Sequence, residues 1–295
     1  RDLGLQRFAQ FETGDTIIEH APDQPPVSVR GYANSPVSMR LMGGMNSLID
    51  ALHRKLDPRR LISGLTVRKL CAMEDHVLLT GADASGQAVS LRAEHVLIAV
   101  PPRLAESTIE FNPTLPNVLR DQWRRQPTWM APHAKYVAIY PTPFWRNVGL
   151  SGEARSRTGP LGEIHDASMP GGSAALFGFF AIPAQQRKHW SEVELMTECR
   201  AQLMRMFGHQ AERPLAEAIK DWTTDPLTAT ASDADDSSHP NNRLATEIMS
   251  GPWQGRLTGI ASEWSRQFPG YLAGAIEAAT SGVESLSSDG NFHIN

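Results

Sequence analysis

The stretch His95-Val96-Leu97-Ile98-Ala99-Val100-Pro101-Pro102 is a continuous apolar run closed by paired prolines. A segment with no polar face suits a strand buried on both sides, as in a parallel sheet. The prolines end it, because each removes a backbone donor and fixes φ. Upstream, Leu65, Val67 and Cys71 stand at alternating positions, a strand signal over 64–70. Further strands are expected at 76–80 and 88–92, with a turn over 81–86. Residues 65–100 therefore read as a small antiparallel sheet feeding into a parallel one. Before it, Leu48, Ile49 and Leu52 recur at helical spacing behind Asn46 and Ser47, either of which is a suitable cap. That pattern predicts a helix over 46–56.

Downstream the pattern changes. Residues 135–140 alternate and stop at Pro141-Thr142-Pro143-Phe144-Trp145-Arg146. Residues 174–182 read as another strand. The spacing of Val193, Leu195, Met196, Cys199, Leu203, Met204 and Phe207 predicts an amphipathic helix over 191–207, with Glu194 near its start and Gly208 at its end. Residues 231–242 form a polar loop, and a last helix is expected over 270–286, after Pro269. Strands and helices mix throughout, so the fold class is α/β with α+β character. With 295 residues, the chain exceeds one small domain. No repeat or low-complexity linker divides it, which implies interleaved domains.

Composition excludes several classes. Hydrophobic residues make up 41% and charged residues 20%, values of a soluble globular protein rather than a disordered one. The net charge of −4 is dispersed, so no basic face for nucleic acid is expected. Cys71 and Cys199 are the only cysteines and form no CxxC, which argues against a disulfide framework and for a reducing cytoplasm. No apolar run reaches the roughly 18 residues of a membrane span. Residues 171–184 are too short and read as a buried strand, and no signal peptide is visible. The ten histidines are scattered without HExxH spacing, so no metal is expected. GxSxG is absent, and with it the nucleophile elbow.

Five blocks in order resemble the flavin-containing amine oxidases of the monoamine oxidase family. They are Gly43-Gly44-Met45 with its helix, Val96 to Pro102, Ala134-Lys135 through Pro143-Phe144-Trp145-Arg146, Asp221-Trp222 with Asp225-Pro226, and Gly259-Ile260-Ala261-Ser262-Glu263 continuing to Phe268-Pro269-Gly270-Tyr271-Leu272-Ala273-Gly274. The resemblance implies a Rossmann-like FAD-binding domain over 41–114 and 221–295, interleaved with an α+β substrate domain over 1–40 and 115–220. In this family a strand, a GxGxxG turn and a helix hold the diphosphate. No such block occurs here and the first residue is Arg1. The expectation is an N-terminally truncated chain that binds FAD poorly by itself.

The same resemblance assigns roles. Lys135 would reach a water at flavin N5. Tyr271 would form one wall of an aromatic slot for the amine, and the position matching the other wall lies near Ser232. Ser262 and Glu263 would hold phosphate or ribityl groups. Gly270, Leu272 and Gly274 open the closing helix, whose N-terminal dipole faces a flavin oxygen. Val67 would meet the adenine through its backbone, Gly43 and Gly44 would allow close approach, and Trp222 would pack at the flavin edge. Ala231 stands where some relatives carry a flavin-linking cysteine, so FAD is expected to be non-covalent. The implied reaction is oxidation of a small-molecule amine with O2 as acceptor. An L-amino-acid oxidase or a related desaturase is an alternative, and the former needs an arginine for the carboxylate. Arg30, Arg40 and Arg155 are candidates. A non-catalytic scaffold or remnant is the other alternative. A homodimer or a complementary N-terminal segment remain open as partners.

Overall fold

The computed structural model describes residues 3–32, 34–235, 239, 244–246, 248 and 251–288. Arg1 and part of the 231–242 loop lie outside these residues. The chain forms two compact units, Arg1–Leu61 with His133–Asp221 and Ile62–Pro132 with Trp222–Asn295. It crosses between them after 61, 132 and 221, where the sequence suggested 40, 114 and 220.

The first unit is built on a seven-stranded sheet. Its strands run in the order Ala216–Asp221, Ala134–Tyr140, Ala174–Phe180, Leu161–Asp166, Leu150–Ser156, Asp15–Glu19, Val27–Val29. All neighbours are antiparallel except Leu150–Ser156 with Asp15–Glu19. Side chains alternate across a strand. Accordingly Ala134, Tyr136, Ala138 and Tyr140 are buried in a core with Leu195, Cys199, Leu203 and Phe207 of the helix Glu192–Phe207. Lys135, Val137 and Ile139 are left on the other face. The helix starts as its sequence predicts. Ser191 accepts from the backbone N–H of Glu194, and the Glu194 side chain reaches back to the Ser191 N–H, a complete capping box. It ends at Gly208, whose φ of 92° favours glycine.

In the second unit, Thr66–Ala72, Val77–Ala82 and Ala88–Ala93 form an antiparallel meander. Glu110–Asn112 adds a parallel edge beside Thr66–Ala72. The apolar run beginning at His95 becomes the strand Val96–Ile98, which pairs in parallel with Leu257–Gly259. The ladder continues on both sides, with Val96 N–H donating to Arg256 O and Ile260 N–H to Ile98 O. Gly259 has a packing reason. A Cβ there would lie 2.0 Å from the Trp264 ring, which packs edge-on against Trp123. The last helix spans Leu272–Ser288.

The second unit also holds a buried ion pair that the sequence did not announce. Arg103 Nη1 donates to Asp233 Oδ1 at 2.6 Å, with side chains 6% and 0% exposed. Arg103 also donates to the carbonyls of Arg124 and Arg125, and Asp233 accepts from Thr128 N, Thr230 N and Thr230 Oγ1. Three distant segments are thereby tied together. Removing one partner leaves the other charge buried, so Asp233→Ala should cost about 3–5 kcal/mol. Ser191→Ala in the other unit should cost about 1 kcal/mol. Denaturant unfolding of both variants beside wild type checks the ranking, and equal losses would remove the special role of the pair.

Candidate functional site

Two clusters of chemically active side chains emerge, one in each unit. In the first, Lys135 projects from the face of the sheet opposite the helix. Its Nζ lies 4.6 Å from the ring centroid of Phe179, its cross-strand partner, and 5.8 Å from that of Phe177. Arg40 reaches the same place from Met39–Leu41, a strand paired with Arg7–Ala9. Its guanidinium carbon is 5.1 Å from the Phe177 centroid. His165 stacks on Phe177 at 5.2 Å and 26°. Burial pushes the Lys135 pKa down, and the neighbouring Arg40 charge adds to the shift. His133 is pushed down in the same direction by burial and by Arg187 and Lys135.

The second cluster sits where the two parallel strands end. A cavity of about 370 Å³ is lined by Ala99 and Pro101 after one strand and by Ile260, Ala261, Ser262 and Glu263 after the other. Thr128, Trp129 and Met130 form a further wall, and Gly270 and Ala275 complete the helix side. Crevices beyond the carboxyl ends of parallel strands are the usual ligand position in α/β sheets. The wall is mostly apolar with a few convergent polar groups, as small-molecule sites are. Glu263 is 4% exposed and accepts from Ser262 Oγ at 3.1 Å. Thr128 Oγ1 is buried with no hydrogen-bond partner, an atom that a ligand hydroxyl or carbonyl would satisfy. The Glu263 carboxyl is pushed up, first by burial and further by the Asp233 charge.

Of the residues singled out in the sequence, the second unit brings Ser262, Glu263 and Gly270 together around this cavity. Gly270 has a φ of 82°. Gly274 lies at a tight approach, since a Cβ would stand 2.0 Å from Phe268 O. Leu272 opens the last helix and is exposed. Tyr271 is 48% exposed and its ring neighbours are Trp129 at 4.9 Å and His239 at 5.5 Å. Trp129 also contacts His239 at 4.6 Å. The aromatic companions of Tyr271 thus come from 129 and 239, whereas Ser232 lies in the short turn Ala231–Asp235. Nothing in the local pattern around Gln126-Pro127-Thr128-Trp129 marked it as part of a site. Val67 sits half-buried in Thr66–Ala72, opposite Gly81, and Trp222 half-buried in the turn Trp222–Thr224. Neither is among the residues lining the cavity. In the first unit, Gly43 and Gly44 have φ of 78° and 75° before the helix Asn46–His53. Gly43 N–H points to Met169 Sδ at 3.3 Å.

The profile of the family described as "Flavin containing amine oxidoreductase" matches residues 6–286, and the chain belongs to that family. It is 27% identical over 243 residues to a Dictyostelium discoideum protein named "Probable flavin-containing monoamine oxidase A", covering 81% of this chain and 51% of that one. With the putrescine oxidase of Kocuria rosea it shares 28% over 205 residues, 64% of this chain and 41% of the other. The chain thus spans about half the length of the curated relatives it matches. Among solved structures, cyclohexylamine oxidase from Brevibacterium oxydans superposes with a TM-score of 0.77 at 17% identity, covering 98% of this chain and 83% of that one. At that identity the likeness shows the fold. Among the described residues no helix is long and apolar enough to cross a membrane.

The raised Glu263 pKa carries a stability consequence. The folded state holds the proton more tightly than the unfolded state, whose carboxyl titrates at the ordinary value of about 4.5. The contribution is therefore present below that value and is lost as pH rises through the folded pKa. Glu263→Gln should unfold at a higher temperature than wild type at neutral pH, and the difference should shrink as the pH is lowered towards 4.5. Thermal melts across that range check it, and a pH-independent difference would refute the assignment.

Proposed function

We propose that this chain forms the substrate-facing and flavin-enclosing part of an FAD-dependent amine oxidase. The first unit acts as the substrate domain and the second as the flavin-binding domain. The observation that carries the reading is Lys135, a half-buried cation with a lowered pKa held over Phe177 and Phe179 on the strand that carries the family's lysine block.

The second unit fits the cofactor by its donor set. Ser262 and Glu263 would hold hydroxyl or phosphate oxygens at the ends of the parallel strands, and Thr128 Oγ1 would gain the partner it lacks. Cys71 is half-buried in the strand Thr66–Ala72 and Cys199 is buried in the helix core, and Ala231 stands where the family resemblance puts the linking position, which supports a cofactor held non-covalently. When bound, FAD supplies the acceptor that takes a hydride equivalent from the carbon beside the amine nitrogen at N5 and passes the electrons to O2, yielding H2O2.

This chain's own residues do the rest. Phe177 and Phe179 cover part of the half-buried Lys135, which strengthens its field. A buried ammonium stabilises negative charge developing on a neighbouring electron acceptor. Its depressed pKa also eases exchange of a proton with a bound water. The Trp129, His239 and Tyr271 rings offer faces that attract a cationic or lone-pair amine. An amine bound in its neutral form needs no protein base to lose the hydride, and the imine then hydrolyses in water.

Lys135→Met in the flavin-loaded, full-length protein should slow turnover by about 10²-fold while the flavin spectrum persists. Anaerobic bleaching by an amine panel and peroxide release on readmission of air measure the two half-reactions. A protein that carries flavin yet bleaches with no amine would defeat the oxidase reading.

A further inference from the structure

Glu277 does not line the cavity of the second unit, yet it gathers the turn that leads into the last helix. Ser265 Oγ donates to Glu277 Oε2, and Gln267 N–H donates to the same oxygen at 3.2 Å. Arg266 N–H donates to Oε1 at 3.3 Å. An ionised carboxylate only accepts, and bonds to it are roughly twice as strong as neutral ones. Ser265 first, then the backbone of Gln267 and Arg266, hold the Glu277 carboxyl below its ordinary range.

The bonds continue as a relay towards Tyr271. Ser265 Oγ, while donating to Glu277, accepts from Phe268 N–H at 2.8 Å. Phe268 O in turn accepts from Tyr271 N–H at 3.1 Å, and Tyr271 O accepts from Ala275 N–H within the opening turn of the helix. The packing agrees. A Cβ on Gly274 would stand 2.0 Å from Phe268 O and 2.9 Å from Ser265 Cβ, so the turn lies flush on the helix. Ser265 is buried, whereas Arg266, Gln267 and Phe268 are exposed. A segment with so little apolar burial depends on its polar contacts for order, and here they converge on one carboxylate. The chain emerging from this turn carries Tyr271, whose ring meets Trp129 at 4.9 Å, and Trp129 lines the cavity.

We propose that Glu277 is a positioning residue that latches the turn 265–268 to the last helix and thereby sets the Tyr271 ring against Trp129. An amine that meets this ring is then aligned by a group it never touches. The inference rests on the oxidase reading for what the ring meets, while the latch itself is defined by the chain alone.

Two variants cut the latch at different points. Glu277→Gln keeps the shape but replaces one acceptor oxygen by a donor. Ser265→Ala keeps the carboxylate and breaks the relay. Amide hydrogen exchange, followed by NMR on the protein without flavin, should quicken about 10-fold at Gln267 and Phe268 in Glu277→Gln and at Phe268 in Ser265→Ala. Exchange in the strand Leu257–Gly259 should stay at the wild-type rate. In the flavin-loaded full-length protein, Glu277→Gln should raise KM for the amine about 10-fold and leave kcat nearly unchanged. On a Tyr271→Ala background the same substitution should leave KM where Tyr271→Ala has put it, because a residue acting through that ring has nothing left to position. Thermal melts of each variant control for folding.

Exchange unmoved in both variants overturns the latch. A rise in KM from Glu277→Gln that persists in full on the Tyr271→Ala background overturns the positioning role. If exchange quickens as expected while no amine bleaches the flavin of the wild type, the latch stands and the oxidase reading fails, so the two failures are distinct.

Discussion

The parallel register between Val96–Ile98 and Leu257–Gly259 is the constraint on which the cavity of the second unit depends. Parallel strands cannot be joined by a short turn, so these two come from segments about 160 residues apart. Once paired, Leu257 lies opposite Val96 and Gly259 opposite Ile98. Both chains must then leave the sheet at the same end. Ala99 and Pro101 follow one strand while Ile260 to Glu263 follow the other, and the space between them is the cavity. The missing side chain of Gly259 admits the Trp264 indole that backs this corner. The Arg103–Asp233 pair then holds Thr128 to the wall through the bond from its backbone N–H to Asp233.

Burial acts on ionisable groups in both units, with opposite results. In the first it favours the neutral form of Lys135 and lowers its pKa, and in the second it favours the neutral form of Glu263 and raises it. The common cause is the cost of a charge in a poorly solvated site. Neighbouring charges reinforce each shift, Arg40 on the lysine and Asp233 on the glutamate. Among the described residues other buried charges are closely paired, as Arg187 is with Asp221 and Glu19 with the more exposed Arg205.

Legibility in the sequence followed the range of the interaction. The helix at 191–207 was readable because its apolar spacing and terminal glycine are local, and it forms at Glu192–Phe207. The apolar run at 95–100 announced a strand because nothing polar interrupts it, but only Ile98 is buried and Val100 is exposed, so the expected burial on both faces is not what the described residues show. The helices Pro102–Thr108 and Asn117–Arg125 went unread. Each begins directly after a proline with no side-chain cap, and the first follows paired prolines that read as a stop. The strands Leu150–Ser156 and Leu161–Asp166 were equally silent. Glu153, Ser156 and Asp166 are buried polar residues, and hydrophobic alternation cannot mark a strand whose buried positions are polar.

By itself the sequence determined the family, the mixed α/β character, the turns made by Gly43, Gly44 and Gly208, and the identity of Lys135, Ser262, Glu263 and Tyr271 as residues of interest. These depend on motifs, local propensity and order along the chain. Tertiary structure alone decided that Arg40, rather than Arg30 or Arg155, lies over Phe177, and that Trp129 and His239 are the ring neighbours of Tyr271. It also decided the company each charge keeps, for Arg155 pairs with Glu163 whereas Arg40 donates to Gln10 and lies over Phe177. The reason is physical. A charge acquires its role from what surrounds it in space, and those partners arrive on strands whose order in the sheet is not their order in the chain.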